Sequence, residues 1–303
     1  MRPYEVHDPR FEVLVIGHAK LEQLWTGARW AEGPVYVPAA KSVVWSDIPN
    51  DRLLRLDTES NAVSVFEHPC GFHNGHTIDR EGRIIACEHA GRRISRLDHD
   101  GVWRPLVERF EGKRFNSPND ATVHSDGSIW FTDPAYGIDT HYEGHKGESE
   151  LGVCAVYRLD PASGEVARVI DDMVRPNGIC FSPDERILYV ADTGRTHEPD
   201  CPIAIRAYDI GADGRPANGR VFASREEGLY DGFRVDQGGN VWTSAGKTVA
   251  VHAPDGTHIG TIPLPEMVSN LCFGGKKRNR LFITAQTSLY SLYVNAHPAG
   301  WQG

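Results

Sequence analysis

Short runs of Val, Ile, Leu, Trp, Tyr and Phe follow one another along the whole chain, and sustained helical periodicity is missing. Asp-Gly, Gly-Gly and Pro-Asp turns separate the runs, the punctuation expected between antiparallel strands. Aligned on those turns, the runs recur. Six strand-plus-turn units read EGPVYVPAAKSVVWSD, NGHTIDREGRIIACE, PNDATVHSDGSIWFTD, PNGICFSPDERILYVAD, YDGFRVDQGGNVWTSA and SNLCFGGKKRNRLFITA. A third run follows each one: RLLRLD, RISRLD, AVYRLD, AIRAYD, TVAVHA and SLYSLYV. A fourth usually comes next, as in AVSVFEHP, EVARVIDD and HIGTIPLP. The polar lead residues of the six units are Glu32, Asn74, Asn119, Asn177, Asp231 and Asn270, at intervals of 42, 45, 58, 54 and 39 residues. A four-stranded propeller blade takes roughly 40–50 residues. The two long intervals contain the loops GIDTHYEGHKGESELG and TGRTHEPDCP.

The pattern predicts an all-β fold, a six-bladed β-propeller forming a single domain over residues 1–303. A two-sheet sandwich explains the alternation but not the sixfold recurrence. The last unit lacks a fourth run, and a spare run, FEVLVIGHAKLEQLW, precedes the first. An N-terminal strand is therefore expected to close the ring and cover an open sheet edge. The short helical possibilities near residues 106–112 and 225–230 are read as turns in loops.

In a propeller the first strand of each blade lines the central channel, so equivalent residues point at one axis. The six lead residues would then form a ring of two carboxylates and four carboxamides, with no thiolate among them. Oxygen donors with few full charges suit a hard divalent cation, calcium first, then magnesium or manganese; zinc is possible but prefers nitrogen and sulfur. Two carboxylates brought together repel one another unless a cation lies between them. Such a cation can polarise an ester carbonyl while a carboxylate takes a proton from water. Asp231 is assigned that proton-transfer role, and Glu32 is primarily a ligand. His76, near the second lead residue, and Tyr136, near Asp133, are candidate substrate contacts.

Other polar residues carry structural readings. Asn74 and Asn270 are expected to line the channel with water partners, and Asp120 to alternate away and brace its loop. Glu88, His89 and Arg92 are read as a bracing network. Asp47, Asp133 and Asp192 recur at the ends of second strands and are read as turn or inter-blade hydrogen-bonding groups.

Hydrophobic content of 40% and charged content of 24% are those of a soluble globular protein. A net charge of −9 argues against nucleic acid or an anionic membrane as partner, and no protein partner is inferred. No apolar stretch approaches the roughly 18 residues of a spanning helix. MRPYEVHDPRFEV has no apolar core of a secretory signal. Six scattered cysteines without a C-x-x-C pair fit a reduced, cytoplasmic protein with no disulfide framework.

The segments WAEGPVY, VVWSDIPNDRLLRLD, NGHTIDREGRIIACEHAGRRISRLD, GKRFNSPNDATVHSDGSIWFTDPAYGI, RPNGICFSPDERILYVADTG and YDGFRVDQGGNVW resemble the gluconolactonase/regucalcin (senescence marker protein) family of six-bladed propellers. NSPND, WFTDPAYGI and CEHAGRR are most similar to its bacterial gluconolactonase-like branch. The resemblance runs from about residue 30 to 285. It implies one divalent metal at the channel mouth, held by Glu32, Asn177 and Asp231, with Asn119 as a fourth ligand or substrate contact. It also implies hydrolysis of a sugar lactone, a small-molecule substrate, with Asp231 as the acid/base. The regucalcin branch carries a substrate-contacting arginine two residues ahead of its Asn-Asp; Ser117 stands there in this chain. A non-catalytic calcium-binding or ligand-sensing propeller would use the same ring. A WD-repeat interaction module would require a Gly-His…Trp-Asp signature, which the chain lacks. The inserted loops at 137–152 and 193–202 are expected to determine which lactone is taken.

Overall fold

The computed structural model describes residues 3–300. Six antiparallel blades follow one another along the chain. Their innermost strands are Ala31–Val37, His73–Ile78, Ala121–Val123, Pro176–Phe181, Phe233–Val235 and Val268–Gly274. The six-bladed propeller expected from the repeat is the fold observed. Glu22–Thr26 pairs antiparallel with Ser288–Tyr293 and supplies the outermost strand of the last blade, so the ring is closed by an N-terminal strand.

The first half of the spare run differs from expectation. Pro9–Leu14 is a 3-10 turn rather than a strand. Pro9 favours a helical start, and the Asp8 carboxylate caps it by accepting from the Arg10 amide at 2.9 Å. Phe11 is thereby driven into the core between the fifth and sixth blades, against Trp242, over Gly260, where a Cβ would lie 2.0 Å from its ring. Glu5–Val6 adds a fifth strand to blade five by pairing with His258–Pro263. Residues 106–112 contain the end of the strand Trp103–Val107 and part of a short hairpin, and an α-helical turn forms instead at Tyr136–Asp139.

Hydrophobic burial is organised blade against blade. Six clusters fill the six interfaces around the ring. Trp45, Trp130 and Trp242, at matching places in VVWSD, SIWFTD and NVWTSA, are fully buried. Each blade alone would expose one face of its sheet, so the ring must close for the core to form.

The axis is more crowded. The inner strands of blades one, two, four and six carry an extra residue at or beside the lead position, where register slips between Glu32 and Val35, His73 and His76, Pro176 and Ile179, and Val268 and Asn270. Such bulges re-aim side chains. Glycine follows the lead residue in four blades. A Cβ on Gly33 would lie 2.0 Å from the Asn74 carbonyl oxygen, one on Gly75 2.4 Å from that of Asn119, and one on Gly178 2.2 Å from that of Asp231. Hydrogen bonds cross between blades at the same level. Gly75 N donates to Asn119 O at 2.8 Å and Gly232 N to Ser269 O at 2.8 Å. Ser46 Oγ donates to Asn74 O at 2.9 Å, and Thr132 Oγ1 to Asn177 O at 2.7 Å.

Gly178→Ala must push its Cβ into backbone of the neighbouring blade, and is expected to cost on the order of 3 kcal/mol or to prevent folding. Gly127→Ala, at a turn with open space and φ +90°, is expected to cost about 1 kcal/mol. Urea midpoints of the two variants measure the difference.

Candidate active site

Crowding at the axis leaves a cavity of about 210 Å³ at one end of the channel. Glu32, Asn74, Asn119, Asn177 and Asp231 line it, so five of the six lead residues meet in one place. Asn270 does not reach the cavity. It is buried beside it, with Nδ2 3.3 Å from Glu32 Oε2 and 3.4 Å from Asp120 Oδ2. Trp30, Ile48 and Leu229 give the cavity an apolar side; Tyr136, Glu143, Thr193 and Thr196 give it a polar one.

The two carboxylates on the ring are held at a cost. Glu32 accepts from Gly33 N at 2.6 Å, yet burial and the neighbouring Asp231 hold its carboxyl well above the usual range. Asp231 is also shifted up, by burial first and then by Glu143 and Asp120, with the Asn177 amide opposing. Among the described residues neither carboxylate has an ion-pair partner; the arginine nearest the axis, Arg234, is directed at Asp120 at 3.4 Å. Asn177 Nδ2 is engaged with Thr193 Oγ1 at 3.3 Å, which leaves its carbonyl oxygen for the cavity. Asn119 is pinned through its backbone, with N donating to Thr132 O at 2.8 Å, and its carboxamide has no hydrogen-bond partner among the described residues. Two desolvated carboxylates and two uncommitted carboxamide oxygens, without a counter-charge, fit a hard divalent cation. Glu32, Asn119, Asn177 and Asp231 are the residues that can hold one. Among the described residues no group of three or more His, Cys, Asp or Glu forms a metal cluster; this set has only two carboxylates. His141 and His145, four apart in the inserted loop, are exposed.

Tyr136 stands in the wall, but its hydroxyl is engaged with Thr193 Oγ1 at 2.8 Å and Thr196 Oγ1 at 2.9 Å. The ring lies beneath the Arg175 guanidinium, 4.8 Å from its centroid. His76 is not in this cavity. Its Nδ1 donates to Gly33 O at 2.8 Å, and the ring lines a second cavity of about 270 Å³ further along the channel, with Arg234, Cys180 and Cys272. Two residues beyond Asn74, and past a bulge, the strand carries His76 to the second cavity rather than to the one the lead residues line. Asp120 also departs from expectation. It precedes the regular strand, where alternation does not apply, and it faces Asn270 and Arg234 of other blades.

Asp47, Asp133 and Asp192 each receive backbone N–H groups from the segment leading into their own blade: Arg29, Asn116 with Ser117, and Val174 with Arg175. His89 links Asn74 to the inserted loop. Nδ1 donates to Glu143 O at 2.8 Å, and Nε2 accepts from Asn74 Nδ2 at 3.3 Å. Ser117 is fully buried, donating to Pro134 O at 2.7 Å and accepting from Gly137 N at 2.9 Å, so it anchors that loop. The sequence reading missed Trp30, Leu229 and Glu143. Trp30 and Leu229 lie two residues before their lead residues, a second register that the repeat could have revealed. Glu143 has no counterpart in other blades. Burial, with Asp139 adding to it, pushes its carboxyl up to about 7.

Residues 30–287 match the SMP-30/Gluconolactonase/LRE-like region. The chain belongs to this family. Gluconolactonase of Zymomonas mobilis is 32% identical over 301 residues, covering 91% of this chain and 82% of that one. Pentonolactonase XacC of Haloferax volcanii is 30% identical, over 86% of this chain and 82% of its own length. Among solved structures, a gluconolactonase from Xanthomonas campestris superposes with a TM-score of 0.90 at 39% identity, covering 96% of this chain and 94% of that one. Regucalcin of Agrobacterium tumefaciens, a calcium-binding protein, shares the fold at a TM-score of 0.75 and 22% identity, over 93% and 98% of the two chains.

Replacing either buried carboxylate by its amide removes the repulsion without changing shape. Glu32→Gln and Asp231→Asn are each expected to raise the Tm of chelator-treated protein by several degrees. Differential scanning calorimetry in chelator checks this; an unchanged or lowered Tm would show that the uncompensated charges are not destabilising.

Proposed function

We propose that this family member is a divalent-metal-dependent lactonase that opens sugar lactones to hydroxy acids, calcium being the first candidate metal. One observation carries the reading. Glu32, Asn119, Asn177 and Asp231, from four different blades, line a single cavity, and neither carboxylate has an ion-pair partner among the described residues. Its family setting, beside gluconolactonases and a pentonolactonase, supports the same chemistry. A cation bound by the four residues would polarise the lactone carbonyl and favour the charge that develops on its oxygen.

The protein's own groups account for the remaining steps. Trp30, Ile48 and Leu229 cover the C–H face of a ring and limit water on that side, with the hydroxyl groups of Tyr136, Thr193 and Thr196 opposite. Asp231 takes a proton from a water as the water oxygen bonds to the carbonyl carbon. The ring C–O bond then breaks, and the proton held by Asp231 passes to the departing ring oxygen, leaving an open-chain hydroxy acid and the carboxylate restored. Glu32 stays a ligand, its orientation fixed by Gly33 N and Asn270. Asn119 is either a ligand or a contact to the substrate oxygen. A cytoplasmic setting and a small-molecule substrate without a protein partner complete the proposal. No described helix is long and apolar enough to cross a membrane.

Asp231→Asn is expected to lower kcat/KM for gluconolactone about 10³-fold or more, with the folded state retained by circular dichroism. Activity near that of the unaltered protein would remove Asp231 from the reaction. Chelation is expected to abolish turnover, and readdition of calcium, magnesium, manganese and zinc in turn identifies the metal. Metal-dependent stabilisation with no turnover on a broad lactone panel would favour the non-catalytic binding protein instead.

A further inference from the structure

The mechanism uses Asp231 and Glu32 but leaves a third carboxylate at the cavity without a task. Glu143 enters from the long insertion after the second strand of blade three. That loop is tied to the ring at the residue itself and folds back on its own first turn just beyond it. His89 Nδ1 donates to the Glu143 carbonyl oxygen at 2.8 Å. Gly144 packs so tightly that a Cβ there would lie 2.2 Å from Gly137 O, and Gly147 N donates to Ile138 O at 2.9 Å. The Glu143 side chain is therefore positioned from a fixed backbone. Its carboxylate has no hydrogen-bond donor and no cation among the described residues, although the neighbouring hydroxyls of Tyr136, Thr193 and Thr196 satisfy one another. A half-buried carboxylate on the cavity wall without protein partners is free to accept hydrogen bonds from a ligand in the cavity.

Size and chemistry restrict what that can be. A cavity of about 210 Å³ is smaller than the roughly 300–1,000 Å³ of sites for drug-sized ligands, and takes one sugar ring rather than two. Above about pH 7 the Glu143 carboxyl is ionised; it then accepts only, and its two oxygens suit two hydroxyls on adjacent carbons. We propose that Glu143 is a specificity-determining contact, accepting hydrogen bonds from neighbouring ring hydroxyls of a monosaccharide lactone. The inference rests on the lactonase reading and narrows it to polyhydroxylated single-ring lactones, against plain cyclic esters of the same ring size.

The test compares glucono-1,5-lactone with δ-valerolactone, which has the same six-membered ring and no hydroxyl. Glu143→Gln and Glu143→Ala are expected to lower kcat/KM for gluconolactone about 10²-fold, chiefly through KM, because charge-assisted hydrogen bonds to substrate are lost. The fall on valerolactone is expected to be at least tenfold smaller, and the thermal shift on adding calcium unchanged. Parallel losses on both lactones would assign Glu143 to the reaction rather than to recognition. Loss of the calcium-induced shift would make it a metal ligand, and undiminished turnover of both would leave it no role; each result overturns the proposal. If the unaltered protein hydrolyses neither lactone, the lactonase reading fails, and this inference with it.

Discussion

At the axis of the ring, backbone from one blade lies where a side-chain carbon of the next would have to stand. Gly33, Gly75 and Gly178 meet this constraint directly, and cross-blade hydrogen bonds at the same level fix the spacing. The lead residue beside each glycine has little freedom left. Five lead residues reach one cavity from five blades because the backbone there cannot retreat. A site assembled from distant stretches of chain usually needs a supporting shell to hold it within tolerance. Here close backbone packing provides much of that shell, and Ser46, Thr132 and Ser244 tie down lead residues from the second strands.

The same crowding concentrates negative charge. Glu32 and Asp231 are desolvated and repel, and Glu143 and Asp120 add to the repulsion felt by Asp231. Arg234 offsets part of this, but from the far side of Asp120 and beneath the ring. A fold selected for stability alone would have no use for such a group of acids, since buried like charges oppose folding. Their persistence at a position supported by six blade interfaces is the behaviour of a site whose strain is balanced by a well-packed scaffold.

The blades and the ring were legible in the sequence because both repeat. Strand runs, turns and polar lead residues recur at similar intervals, and a recurring residue at a recurring place has a common direction in space. The misreadings fall where that logic lapses. Phe11 lies in a strand-like run, but Pro9 and Asp8 turn the chain and tertiary packing over Gly260 decides its place. His76 is near Asn74 in sequence, yet a bulge intervenes and it belongs to the next level of the channel. Asp120 precedes its strand, so the alternation that would have turned it away does not govern it. Glu143 sits in an insertion, with no equivalent residue to reveal its direction.

These differences divide the molecule by origin. What is repeated, the lead residues and the glycines after them, builds the part of the cavity that a common reaction would need. What is inserted, the 137–152 loop and the 193–202 loop, supplies Glu143, Thr193 and Thr196 on the polar wall. The two parts are mechanically joined: His89 of blade two bridges Asn74 to the Glu143 backbone, and Ser117, just ahead of Asn119, holds Gly137. The position at which the regucalcin branch carries a substrate-contacting arginine is thus occupied here by a buried anchor for a different loop. Ser117 thereby couples the segment that carries Asn119 to the insertion that carries Glu143, so a shift in either wall of the cavity is transmitted to the other.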